Sequence, residues 1–128
     1  MQTYTPPGAL GTSACINDTC CVWDYLVNDL VELFTACDGT CTSAARSAIR
    51  FAFHDAASWN LQSSFGGADG SLFLTVEEIS RPENNGLQAW RQRGLQLLQK
   101  YGVFGVGAAD LAQFAHLQHS ARRRHDYC

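Results

Sequence analysis

The sequence predicts an all-α fold, on three observations. Apolar residues recur at helical spacing in several stretches bounded by capping or stopping residues. No segment alternates apolar and polar residues with the period of a strand. The connecting segments are dense in Gly, Asn, Asp, Ser and Pro. With 128 residues, 46% of them hydrophobic and 16% charged, the chain has the size and composition of one folded domain and not of a disordered tail.

Residues 1–14 read as an extended lead-in. The first helix is expected at about 21–36, where Val22, Tyr25, Leu26, Leu30, Leu33 and Phe34 share one face and Asp24, Asn28, Asp29 and Glu32 the other. Cys37-Asp-Gly-Thr-Cys41 is a turn. Thr42 or Ser43 caps a second helix over about 43–57. A Gly- and Ser-rich loop occupies 58–70, a short apolar stretch Leu72–Ile79, and a second loop Ser80–Gly86. A third helix covers Leu87–Tyr101 and stops at Gly102. A fourth runs from about Ala108 to His119.

Charge narrows the choice of partner. Residues 1–120 carry 6 basic and 11 acidic groups, while the last eight carry three arginines and one aspartate. A net charge of −3 argues against nucleic acid as a partner. No run approaches the ~18 apolar residues of a membrane span. Six cysteines, five of them between Cys15 and Cys41, fit disulfides in a secreted setting, with the pairing left open.

The residues that carry chemistry begin with Arg50 and His54. At i and i+4 they project from one face of the second helix, a fixed cation one turn from a titratable base. Such a pair suits the cleavage of a peroxide at an iron: the imidazole moves the proton between the two oxygens, and the guanidinium stabilises the developing negative charge. Asp55, followed by Gly66-Gly-Ala-Asp-Gly-Ser71, gathers hard oxygens suited to Ca²⁺: the Asp55 and Asp69 carboxylates, the Ser71 hydroxyl and the carbonyls of Asp55 and Gly67. In Glu78-x3-Pro82-x-Asn84-x-Gly86, the Asn84 amide is placed to accept the His54 Nδ1 proton and leave Nε2 as the base. The Glu78 carbonyl is placed to hold Asn84 in turn.

Four motifs in order, between about Cys20 and Ala115, together resemble the distal half of the plant, fungal and bacterial haem peroxidase superfamily. They are Arg50-x2-Phe53-His54-Asp55, Gly67-Ala-Asp-Gly-Ser71, Glu78 through Leu87, and Gly105-Val-Gly-Ala-Ala-Asp110-Leu-Ala. Phe53 before the histidine, the calcium residues and the Cys20-Cys21 pair are similar to the secreted fungal class. The resemblance implies haem b and Ca²⁺ as cofactors, and hydrogen peroxide with a phenolic or lignin-like donor as substrates. It casts Arg50 and His54 as the catalytic pair, supported by Asn84 and Glu78. It also implies that Arg50, Phe53 and His54 face the haem, and that Asp55, Gly67, Asp69 and Ser71 hold the calcium.

The same comparison marks departures. Ser43 and Ser47 stand where manganese-oxidising members carry glutamates, so no manganese oxidation is expected there. No segment after Ala115 is similar to the helix that carries the family's proximal iron ligand. Residues 1–120 therefore read as a distal portion and 121–128 as a basic tail foreign to it, in a secreted and monomeric chain whose export signal is not visible. With that half absent, Phe51, Phe53, Phe104 and Phe114 are expected to be partly exposed, and the chain alone is expected to form no specific haem complex. The competing reading is a non-catalytic, disulfide-bonded, calcium-binding helical module. A metal-dependent hydrolase using His54-Asp55 with His116 and His119 is disfavoured, because the four motifs account better for His54-Asp55 and His116-x2-His119 lacks the glutamate of a zinc protease.

Overall fold

The computed structural model describes residues 4–122, with side chains described through residue 118. Among the described residues the chain is helical and has no strand. Its helices are α1 (Ser13–Ile16), α2 (Cys21–Phe34), α3 (Ser43–Ala56), α4 (Ser71–Leu74), α5 (Val76–Ile79), α6 (Gln88–Tyr101) and α7 (Ala108–Arg122). Short 3₁₀ turns occur at Pro82–Asn84 and Gly102–Phe104. No described helix is long and apolar enough to cross a membrane.

α2 buries Val22, Leu26, Leu30 and Phe34, a spacing of four that keeps one stripe against the core. It ends at Phe34, two residues before the expected boundary. Thr35 is extended and pairs with Cys41 in a single antiparallel bridge. The Asp38 carboxylate accepts from the Thr40 N–H (2.9 Å) and hydroxyl (2.7 Å), which closes the turn between them. Thr42 then does two jobs. Its hydroxyl donates to the Leu33 carbonyl at 2.8 Å and accepts from the Ala45 N–H at 3.3 Å, so one residue caps α3 and ties it to the end of α2.

α3 packs chiefly against α7, with α2 and α6 beside it. The largest buried side chains are Trp90, Tyr101, Phe51 and Phe73. Phe51 and Phe73 stack with ring centres 4.4 Å apart. Gly94 on α6 makes room for this pair, since a Cβ there would overlap the Phe73 ring. Across the molecule, the Asp29 carboxylate of α2 accepts from Lys100 Nζ and the Tyr101 hydroxyl, both at 2.7 Å, and pins α2 to the end of α6.

Three expectations are corrected. The lead-in is not wholly extended: Thr12 caps α1, and a Cys15–Cys21 disulfide joins α1 to α2, while Cys20 and Cys37 carry exposed thiols. α6 does stop at Gly102, as expected, and the chain then runs through a 3₁₀ turn that reverses at Gly105, whose φ of +94° suits glycine. Phe51 is fully buried, whereas Phe53 is 69% exposed, because two residues along a helix point to nearly opposite sides. α7 continues to Arg122, past the expected end at His119. The rest of the basic tail, with Cys128, lies outside the described residues.

Candidate active site

The last two turns of α3 present Arg50, Phe53, His54 and Asp55. His54 and Phe53 line a cleft of about 370 Å³ together with Asp55, Asp69, Ser71 and Asn84. The wall opposite α3 is the 82–86 segment, which enters through Pro82 at the start of its 3₁₀ turn and leaves through Gly86 at φ +90°.

Asn84 is buried at 4% exposure and makes two hydrogen bonds that orient each other. Its Nδ2 donates to the Glu78 carbonyl at 2.6 Å, and its Oδ1 faces His54 Nδ1 at 2.7 Å. A carbonyl can only accept, so the amide nitrogen must face Glu78 and the amide oxygen must face the imidazole. His54 Nδ1 is therefore a protonated nitrogen, and in the neutral ring Nε2 carries the lone pair. Glu78 takes part through its backbone; its carboxylate instead pairs with Arg81 at 2.8 Å on the rim of the cleft.

Arg50 lies one turn before His54 but does not line the cleft. Its guanidinium donates to the Glu83 carbonyl at 2.7 Å and the Asn85 carbonyl at 2.8 Å. The two side chains converge on one loop, and the expectation that the cation points into the same pocket as the base is corrected to that extent. Two charged rim residues, Arg81 and Glu83, were not singled out from the sequence. The i, i+3 spacing of Glu78 and Arg81 was the available signal.

Asp55 faces the other way along the cleft. It is 4% exposed; Oδ2 accepts from the Gly70 N–H at 3.0 Å, and buried Oδ1 has no hydrogen-bond partner. Burial pushes its carboxyl above the usual range, the Gly70 N–H opposes this, and the nearby Asp69 charge adds to the rise. Asp69 is held below the usual range by the Ser71 N–H (2.9 Å) and then by the Ser71 hydroxyl. Gly67 and Gly70 shape the segment with φ of +96° and +77°, and a Cβ on Gly70 would come within 2.6 Å of Ala108 Cβ. No group of three or more His, Cys, Asp or Glu placed to hold a metal occurs among the described residues. The donor set here is two carboxylates, a hydroxyl and main-chain oxygens. An unpartnered buried carboxylate oxygen beside a second carboxylate fits a hard cation such as Ca²⁺. Ser43 and Ser47 border a separate pocket with Arg93 and Trp90, which no carboxylate lines.

Sequence comparison agrees with the geometry. The chain is 35% identical, over 121 residues and 88% of its length, to a peroxidase of Coprinopsis cinerea and to a peroxidase of Arthromyces ramosus. It is similar to part of a fungal peroxidase. The chain spans 31% of the length of each of these relatives. No family model matches it.

Proposed function

We propose that this chain forms the peroxide side of a secreted haem peroxidase that reduces hydrogen peroxide at the expense of a phenolic or lignin-like donor. One observation carries the reading: His54 Nδ1 is held at 2.7 Å by an asparagine that is itself fixed, so Nε2 enters the cleft as a base. Phe53, exposed beside it, gives the same face an apolar platform suited to a macrocycle. Phe53 and His54, which line the cleft, are the residues that would face haem, which when bound supplies the redox-active iron, with Arg50 one turn back on the same helix. His54 Nε2 takes the proton from one peroxide oxygen and returns it to the other as that oxygen leaves as water. Arg50 can offer charge to the developing anion from the same helical face. Asp55, Gly67, Asp69 and Ser71 are the residues that would hold a calcium ion, which would brace the far end of α3.

The test adds haemin to the chain and to a chimera in which the chain replaces the matching part of the Arthromyces ramosus peroxidase. The chimera is expected to show a Soret complex and to oxidise a phenol with peroxide. His54→Leu should lower that rate by about 10²–10⁴-fold, the range for general acid–base help. A His54→Leu chimera that turns over undiminished overturns the assignment. The chain alone, its Phe53 face uncovered, is expected to bind no haemin specifically. A second reading, a calcium-braced helical module without catalysis, is favoured by the orphaned Asp55 oxygen. It prevails if the folded chimera binds calcium but neither haemin nor peroxide.

A further inference from the structure

We infer that Arg50 is a positioning residue for His54, acting through the main chain of Glu83–Asn85 and not only by any contact with ligand. This deepens the reading above and rests on His54 being the base. Three consecutive residues are pinned to α3: Glu83 by its carbonyl to Arg50, Asn84 by its side chain to His54, and Asn85 by its carbonyl to Arg50. Three N–H groups of the loop are spoken for elsewhere. Asn84 N bonds to Arg81 O, Asn85 N to Pro82 O, and Gly86 N to the Gln88 side chain. The two outward carbonyls are what remains, and Arg50 takes both. A guanidinium is a rigid planar fork, so two bonds to carbonyls on either side of Asn84 fix the orientation of the segment as well as its distance. Gly86 completes the arrangement: its φ of +90° turns the chain back, and a Cβ there would lie 3.6 Å from Arg50 Nη1.

The consequence concerns one proton. Neutral imidazole in water favours the Nε2–H form, which cannot act as a base through Nε2. The Asn84 oxygen selects the opposite tautomer, and it can do so only while the loop holds it at hydrogen-bond distance. Lysine keeps the charge of Arg50 but is a point donor that cannot bridge the two carbonyls.

The experiment reads the His54 ring nitrogens by long-range ¹H–¹⁵N NMR in the ¹⁵N-labelled chain above neutral pH. Wild type is expected to show Nδ1–H. Arg50→Lys should lose that form to a mixture dominated by Nε2–H, with the helical circular dichroism unchanged. In an Asn84→Ala background, Arg50→Lys should add nothing, since the path between the two residues is already cut. A folded Arg50→Lys chain that keeps Nδ1–H overturns the inference while leaving the proposed base in place. A wild-type chain in the Nε2–H form overturns both. Should Arg50→Lys not fold, Gly86→Ala strains the same loop with Arg50 intact. It is expected to give the same loss, and retention of Nδ1–H in that folded variant is equally fatal.

Discussion

The two sides of the last turn of α3 are finished differently. On the His54 side the groups that orient the base are paired within the chain: imidazole Nδ1 to Asn84, Asn84 to Glu78, and the flanking carbonyls to Arg50. On the Asp55 side a buried carboxylate oxygen is left over, next to another carboxylate. The first arrangement is complete before any ligand arrives, so it supplies preorganisation. The second is electrostatically unfinished: a proton on Asp55 or, on the reading proposed above, a bound cation would relieve it, so its contribution depends on solution conditions.

The sharpest way to break the contrast is at Gly70. Gly70→Ala places a side chain at φ +77° and drives it into Ala108. The combined backbone strain and overpacking should cost about 2–5 kcal/mol in urea unfolding and abolish any calcium response. Next in size is calcium itself. At 100 times its dissociation constant, Ca²⁺ should stabilise the chain by about 2.7 kcal/mol and leave Asp55→Asn unmoved. An equal response in both would remove the cation site. Asn84→Ala should cost about 1–3 kcal/mol, since it strands the Glu78 carbonyl and His54 Nδ1. It should leave the calcium increment intact, which tests whether the two sides are independent.

The smallest effect is on pH. Asp55 has a raised carboxyl in the fold, so its contribution to stability is present below the ordinary carboxylate range and is lost as pH rises through the raised value. Asp18, Asp38 and Asp69 are shifted down by hydrogen bonds, and their contributions run the other way, lost on acidification. In EGTA, stability should therefore fall less steeply as pH rises above the ordinary carboxylate range in Asp55→Asn than in wild type, as read by urea midpoints. Parallel curves would mean that the orphaned oxygen has little energetic weight.

Much of this was legible because helical periodicity and caps are side-chain signals. The limits of α3 followed from Thr42 and the apolar spacing, and the His54–Asn84 contact from the chemistry of an amide facing an imidazole. α1 escaped because four residues cannot display a period. The stop of α6 at Gly102 was legible, but the 3₁₀ turn that follows it and reverses at Gly105 was not, because a glycine permits a left-handed turn without compelling one. The grip of Arg50 on Glu83 and Asn85 could not be read, since main-chain carbonyls are present at every position and carry no letter of their own. The burial of Phe51 was readable from its angle to Phe53.

The empty space at Gly94 has a reach beyond its own helix. Phe73 leans into it, Phe51 leans on Phe73, and Phe51 stands three residues before His54 on α3. A bulkier residue at that distant position would push on Phe73 and, through it, on Phe51 of the helix that carries His54.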